Sequence, residues 1–222
     1  MLEKIENSHS ETDASQYSFR LFHLQEIKCC TGEGGPNPRS GHRIVQYKGR
    51  VYSFGGCNHA LELDDPDQLD NELWELNLTT GRWIKCEMKG DKPEQIVVDR
   101  AVCHPLDPGV MLIYGGLTNT GPTDAVVTCH LETKEFKKIV TGESEGQPMA
   151  LWGQAVVTDH KGLFYTVGGT NGTQFFMDVN MLDLRSSPPV WSSLYRLSGA
   201  MDEPEPRLVA TTFALTITSQ VP

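Results

Sequence analysis

The stretch Val51-Tyr-Ser-Phe-Gly-Gly56 decides the fold, because residues typical of a β-strand end there in a pair of glycines. The same pattern occurs at Met111-Leu-Ile-Tyr-Gly-Gly116 and again at Leu163-Phe-Tyr-Thr-Val-Gly-Gly169, so the pairs are spaced by 60 and 53 residues. Glycine tolerates positive φ angles and the close approach of another backbone, which suits the sharp end of a strand. Three ordered copies of one pattern indicate an internal structural repeat.

Each glycine pair is flanked by further β-like runs, which complete a unit of four short strands. One run precedes the pair, as in Ile44-Val45, and another follows it, as in Leu73-Trp-Glu-Leu-Asn-Leu78. An aromatic residue then closes the unit, and these residues are Trp83, Phe136 and Trp191. A large flat side chain at this place suits the packing of one sheet on the next. β-branched and aromatic residues dominate the runs, and glycine or proline interrupts any stretch of helical length, so an all-β fold is predicted.

Composition and charge argue against several classes of protein. The 222 residues include 29 acidic and 19 basic side chains and carry a net charge of −10, whereas a nucleic-acid-binding surface needs a basic face. No run approaches the roughly 18 apolar residues of a membrane span, and residues 1–10 lack the apolar core of a signal peptide. We therefore expect the protein in a reducing compartment, which is the cytoplasm and, as an alternative, also the nucleus. Neither nucleic acid nor a membrane is an expected partner.

The sequence contains no motif that predicts catalysis. A nucleophile elbow, a phosphate-binding P-loop and a dinucleotide fingerprint are missing from the sequence. The acidic run from Glu62 to Asp67 lacks the glycine and the terminal glutamate of a calcium loop, so it is interpreted as a solvated loop between strands. We expect neither an enzyme nor a bound cofactor or metal.

The three glycine pairs, each followed by a spaced aromatic residue, resemble kelch repeats, which are the four-stranded antiparallel blades of a β-propeller. The resemblance covers about residues 36–207. It implies an incomplete ring of three blades and a remnant, with the aromatic plates at Trp83 and Trp191 poorly covered. The expected organisation is a disordered tail at 1–16, an aromatic outer strand and loop at 17–35, blades at 36–91, 92–146 and 147–203, and the start of a truncated fourth blade at 204–222.

Four short segments resemble, within the kelch family, the substrate receptors of cullin-two ubiquitin ligases that read C-terminal degrons. These segments are Pro38–Arg43, Asn71–Trp74, Trp152–Ala155 and Val167–Thr170. The resemblance implies a protein-interaction module that recognises the C-terminal tails of protein substrates and that, in full-length relatives, docks elongin and the cullin. The leucine-rich docking box of those relatives is absent from this sequence. The alternatives are a kelch scaffold that binds another protein surface, such as actin or a phosphatase or kinase regulator, and a truncated product without function.

Two sets of residues are candidates for the binding site, because propellers usually bind through loops on one face beside the central channel. The first set opens the first strand of each blade: Arg39, Ser40, His42, Arg100, Trp152 and Gln154. The second set follows each glycine pair: Asn58, Thr118, Thr170 and Asn171.

These residue types suit the capture of a peptide tail. A guanidinium fork with hydroxyl or amide donors holds a terminal carboxylate, and a flat aromatic suits an apolar or glycine-ended tail. The structural alternatives stay open at this point. Arg39 and Arg100 could instead form salt bridges between blades, Trp152 could pack within a blade, and His42 could serve as a hydrogen-bonding strut.

Overall fold

The regular elements of the described residues are β-strands, and this confirms the all-β fold class. The computed structural model describes residues 26–27, 29, 34–58, 60, 70–93, 96–97, 100–159, 161–198 and 203–206. In those ranges no helix is long and apolar enough to cross a membrane. The predicted tail at 1–16, most of the predicted outer strand at 17–35 and the chain from residue 207 onwards lie outside the described residues.

The first sheet is a four-stranded antiparallel unit with its strands in chain order. Its strands are β1 (Arg43–Tyr47), β2 (Arg50–Phe54), β3 (Leu73–Asn77) and β4 (Arg82–Lys85). The hairpin between β1 and β2 turns at Lys48 and Gly49, whose φ angles are 46° and 71°. Two positive φ angles at a two-residue turn match the twist of the flanking strands.

The second and third sheets repeat this construction. The strands of the second region are β5 (Lys89–Gly90), β6 (Ile96–Val97), β7 (Arg100–His104), β8 (Asp107–Tyr114), β9 (Leu117–Thr118), β10 (Gly121–Pro122), β11 (Val126–His130) and β12 (Glu135–Ile139). The order β7-β8-β11-β12 matches the first sheet, with β5 added beside β12, while β6, β9 and β10 form a small separate sheet. The third sheet contains β13 (Ala155–Thr158), β14 (Leu163–Thr170), β15 (Phe175–Asp183) and β16 (Val190–Tyr195) in that order.

The three sheets are stacked face to face, and the middle sheet contributes to both interfaces. Alternate residues of β8 point to opposite sides, as a strand requires. Met111 lies in the core shared with the first sheet, and Leu112 lies in the core shared with the third. Strand β7 lies next to both β1 and β13, so the first strands of the three sheets are neighbours along one side of the stack.

The expectation that Trp191 is poorly covered is wrong, because its side chain is 1% exposed. Its ring centroid lies 5.2 Å from that of Tyr114 and 6.2 Å from that of Phe164. Tyr114 belongs to the middle sheet, so a single neighbouring sheet is enough to bury this aromatic residue. Trp83 is half-buried.

The outer edge of a sheet is covered by the linker that arrives from the preceding sheet. We call these segments edge straps and define them as residues 89–91 on β12 and 142–146 on β16. Strand β5 pairs in parallel with β12, and the amide of Asp91 donates to the Phe136 carbonyl at 2.9 Å. The amide of Gly142 donates to the Pro189 carbonyl at 2.7 Å. The straps occupy backbone groups that would otherwise invite pairing with another chain.

A buried carboxylate connects the first two sheets. Glu75 is 7% exposed, and its Oε2 accepts a hydrogen bond from Lys134 Nζ at 2.6 Å. Arg50 forms an ion pair with the other carboxylate oxygen. Lys134 belongs to the second sheet and also lies over the ring of Tyr52, 4.3 Å from its centroid. Burial raises the pKa of Glu75, but the hydrogen bonds and charges of Lys134 and Arg50 outweigh burial and leave the pKa below its ordinary value.

Glu75→Gln is expected to lower the free energy of unfolding at pH 7 by about 1–3 kcal/mol, because a charge-assisted pair between the sheets is lost. A carboxyl with a lowered folded pKa stabilises above its unfolded pKa, about 4.3, and this contribution disappears as the pH falls through the folded value. The variant should therefore lose less stability than the wild type between about pH 5 and pH 3. Urea unfolding at several pH values measures both effects.

The control is Glu132→Gln, which removes an exposed ion pair with Lys48. The hydrogen bond from Lys48 also holds the pKa of Glu132 below its ordinary value, but water screens this exposed pair, so the pH dependence should change less than in Glu75→Gln. Equal pH dependence in the wild type and Glu75→Gln would contradict the assignment of this stabilisation to Glu75.

Candidate functional site

A short backbone bridge precedes the first strand of each sheet, at the end where the glycine pair lies. Ser40 and Cys57 exchange two hydrogen bonds, of 2.9 and 2.8 Å. Trp152 and Thr170 do the same at 2.9 and 2.8 Å, and beside the second sheet Val97 pairs with Leu117 in the small sheet of β6, β9 and β10. Ser40, Val97 and Trp152 thus occupy equivalent positions, and the structure places the Ser40 and Trp152 predictions at the same end of their sheets.

The glycine pairs allow this bridge because the chain before the first strand crosses directly over them. Gly56 has a φ of 119°, and a Cβ there would lie 2.9 Å from the Ser40 carbonyl oxygen. Gly169 has a φ of 104°, and a Cβ there would lie 2.5 Å from Gln154 Cγ. A larger residue would push the bridge away from the sheet.

Arg39 lies inside a network of charges in the first blade. Its side chain is 6% exposed and forms ion pairs with Asp70 and, at 3.6 Å, with Glu72. Glu72 also accepts a hydrogen bond from Trp74 Nε1 at 2.8 Å and pairs with Lys85. Burial raises the pKa of Glu72, but these donors outweigh burial and hold it below its ordinary value. A ligand carboxylate would have to compete with two resident carboxylates for Arg39.

Arg100 does not occupy the position of Arg39. It pairs in register with Tyr114, as Arg43 pairs with Phe54, and both partners immediately precede a glycine pair. The residue in the second blade that matches Arg39 is Ile96, because it immediately precedes the bridge residue Val97. Arg43 is therefore the arginine equivalent to Arg100, and the prediction did not include it. The signal was available in the matching runs Arg43-Ile-Val and Arg100-Ala-Val.

The other predicted residues divide into buried and accessible groups. Gln154 is 1% exposed and Thr170 is 2% exposed, with Thr170 Oγ1 donating to the Gln174 carbonyl at 2.6 Å. Ser40 is exposed, whereas His42, Asn58, Thr118, Trp152 and Asn171 are half-buried. In this arrangement the accessible group can contact a ligand directly, and the buried pair supports the backbone around the bridge.

The loop residues after the glycine pairs also hold their own backbone. The side-chain oxygen of Asn171 accepts hydrogen bonds from the amides of Thr173 and Gln174, both at 2.9 Å. Thr118 Oγ1 donates to the Gly121 carbonyl at 2.8 Å. These hydrogen bonds hold the backbone of the two loops from within.

A groove of about 380 Å³ lies at the same end of the second sheet. Three threonines beyond the glycine pair contribute to its wall, together with one carboxylate and two lysines. These residues are Thr118, Thr120, Thr123, Asp91, Lys92 and Lys138. All of them except Thr118 were missed by sequence reasoning, because the groove wall combines a strap, a loop and an outer strand that lie far apart in the sequence.

Comparison with known proteins identifies the family. The Attractin/LZTR1 β-propeller family matches residues 4–196 of the chain. Kelch domain-containing protein 10 of Xenopus tropicalis is 30% identical over 184 residues, covering 79% of this chain and 43% of that protein. The human protein of the same name is 29% identical over 182 residues, covering 79% and 40%. The leucine-zipper-like transcriptional regulator 1 homolog of Drosophila melanogaster is 24% identical over 192 residues, covering 84% and 18%.

Solved structures support the same fold. The structure of YjhT superimposes with a TM-score of 0.57 at 17% identity and covers 73% of this chain and 53% of that chain. The chain spans less than half the length of the kelch relatives it matches, at 43% of the Xenopus protein. The predicted resemblance to kelch repeats is confirmed by these relatives. The chain belongs to the Attractin/LZTR1 β-propeller family, and its sheets are kelch-type blades.

Proposed function

We propose that this chain recognises the C-terminal tails of protein substrates, as part of a substrate receptor for a cullin-RING ubiquitin ligase. The chain is a kelch propeller interaction module related to Kelch domain-containing protein 10 and to the leucine-zipper-like regulator. The ligase role and the choice of a C-terminal tail extend the resemblance of the four short segments named above. Docking of elongin and a cullin belongs, in this proposal, to full-length relatives.

The observation that carries the proposal is the alignment of the bridges at one end of the sheets. Ser40 and Trp152 hold equivalent positions there, and the first strands β1, β7 and β13 are neighbours behind them. A hydroxyl and a half-buried indole at one rim are suitable for a short peptide end. Arg43 and Arg100 hold equivalent register positions as the first residues of the adjacent strands β1 and β7.

We assign recognition of a terminal carboxylate to Arg100 and Arg43, rather than to Arg39, because they hold equivalent positions at the starts of adjacent strands. Arg39 already neutralises Asp70 and Glu72, so a ligand gains little net charge attraction from it. A guanidinium can bind a carboxylate with two parallel hydrogen bonds. The proposal therefore assigns carboxylate recognition to the starts of β1 and β7 and assigns Arg39 to the support of the first blade.

Peptides with free C-termini are expected to bind the purified chain, and amidation of the terminus should weaken binding at least about tenfold. Arg100→Ala should weaken binding by about 1.5–3 kcal/mol, because a hydrogen bond to a charged group is lost. Fluorescence anisotropy with a library of labelled tails measures both. Arg185→Ala is the control, since Arg185 pairs with Asp183 at the opposite end of the third sheet.

Binding that ignores the state of the carboxylate would exclude tail recognition. That result would leave a kelch scaffold that reads an internal protein surface, and mapping by crosslinking would then locate the surface.

A further inference from the structure

The groove of the second sheet adjoins the proposed tail site. Gly115 forms part of the groove wall and also lies against the chain that leads into the third sheet. A Cβ at Gly115 would lie 3.4 Å from the Thr123 carbonyl oxygen in the groove wall and 3.5 Å from the carbonyl oxygen of Leu151. Leu151 immediately precedes Trp152. A peptide seated at Trp152 therefore has the groove as its neighbour.

Register aligns the outer wall of the groove with Arg100. Arg100 pairs with Tyr114 on β8. Tyr114 pairs with Val126 on β11, which in turn pairs with Ile139 on β12. Neighbouring strands lie about 4.8 Å apart, so the row from β7 to β12 is about 14 Å long. An extended peptide rises about 3.3 Å per residue, so about four residues span the distance from Arg100 to Lys138, the neighbour of Ile139.

The groove carries an excess of positive charge on an acidic chain. Lys92 and Lys138 are exposed, and neither forms an ion pair with a carboxylate among the residues that the structure describes. Asp91 also lines the groove, and its Oδ2 accepts a hydrogen bond from the backbone amide of Lys138 at 3.2 Å. The described wall thus has two ammonium groups and one carboxylate, whereas the whole chain carries a net charge of −10. This local charge is complementary to an acidic side chain.

The two lysines of β12 lie on opposite sides of the second sheet. Lys138 pairs with Val127, which belongs to the core shared with the first sheet. Lys137 pairs with Thr128, and Thr128 pairs with Leu112, which belongs to the core shared with the third sheet. Paired residues share a face, and successive residues of a strand alternate between faces. Lys138 therefore lines the groove, and Lys137 is an equally charged neighbour directed away from it.

We propose that the groove of the second sheet binds an acidic side chain of the substrate, about four to six residues before its C-terminus. The inference rests on the proposed function, because it takes the terminal carboxylate to lie at Arg100 and Arg43. The tail then runs outward over the end of the second sheet, and its aspartate or glutamate lies near Lys92 and Lys138. The preferred substrates combine a free C-terminus with an acidic residue at this spacing.

Fluorescence anisotropy with paired tails tests the inference on the purified chain. Each pair carries glutamate or glutamine at one position, about three to eight residues before a free C-terminus. At the predicted spacing the glutamate tail should bind about two- to fivefold more tightly, as expected for exposed ion pairs. This preference should disappear in about 1 M NaCl, where charges are screened beyond about 3 Å.

Variants of the lysines locate the preference. Lys92→Gln and Lys138→Gln should each reduce the preference for glutamate, and the two substitutions together should abolish it. Lys137→Gln removes the same charge from the adjacent residue of β12 and should leave the preference unchanged. All three side chains are exposed, so these variants should retain the fold.

Two outcomes would overturn the inference. Equal affinity for glutamate and glutamine tails at every position would exclude the groove as an acidic subsite, while tail recognition would stand. Equal effects of Lys137→Gln and Lys138→Gln would show that general charge attraction selects the acidic tail. A failure of the proposed function looks different. Free and amidated tails would then bind equally, and a glutamate preference that still depends on Lys138 would support the groove without the terminal carboxylate.

Discussion

Trp191→Ala is expected to lower the free energy of unfolding by about 3–5 kcal/mol, because truncation of a buried tryptophan removes contacts and leaves a cavity. Trp191 is 1% exposed, and its ring packs on Tyr114 of the neighbouring sheet and on Phe164 of its own. The truncation should therefore weaken the interface between the second and third sheets. Urea unfolding followed by far-ultraviolet circular dichroism measures it.

Trp83→Ala is the matched control, since Trp83 closes the first repeat as Trp191 closes the third. Trp83 is half-buried, so the expected loss is smaller, about 1–2 kcal/mol. Similar losses in the two variants would contradict the assignment of the larger effect to the interface between sheets.

Gly90→Ala is expected to lower the free energy of unfolding by about 3 kcal/mol, through two costs that add. Gly90 has a φ of 74°, a region that a residue with a Cβ adopts only under strain. A Cβ at this position would also overlap the Phe136 carbonyl oxygen, so the edge strap on β12 would have to move. Thermal and urea unfolding report the loss.

Gly49→Ala separates the two costs. Gly49 has a φ of 71°, and a Cβ there would meet nothing within 4 Å. The expected loss is about 1–2 kcal/mol from backbone strain alone. If Gly90→Ala costs no more than Gly49→Ala, then the strap yields freely and contributes little to the stability of the edge.

The glycine pairs and the runs around them were sufficient to predict the strands. Val51-Tyr-Ser-Phe and Met111-Leu-Ile-Tyr both have strong β-propensity and both stop at residues that permit a sharp end. The edge straps could not be predicted in this way. Lys89 and Gly90 have low β-propensity, and their parallel pairing with β12 depends on where the linker passes after the sheets have stacked.

The candidate site was only partly predictable. The linkers before the first strands differ in length, so the first arginine of a repeat does not always hold the same position relative to its strand. Arg39 and Arg100 look equivalent as the first arginines of their repeats, but the pairings place Arg100 opposite Tyr114 and align it with Arg43. The ion pair of Arg39 with Asp70 joins residues that lie far apart in the sequence, and no local pattern predicts such a contact. Gln154 and Thr170 are buried because the chain before the third sheet crosses over Gly169. This crossing is visible only in the folded backbone.

The edge straps have a consequence for how the chain can be divided. Residues 89–91 precede the second repeat as judged by its sequence, but they seal the outer strand of that repeat. The repeat defined by the sequence therefore has different boundaries from the structural unit whose outer edge is covered. An engineer who transplants or duplicates the middle blade should cut it as 86–139 rather than as 92–146. The first choice carries its own edge protection, and the second leaves β12 open to pairing with other chains.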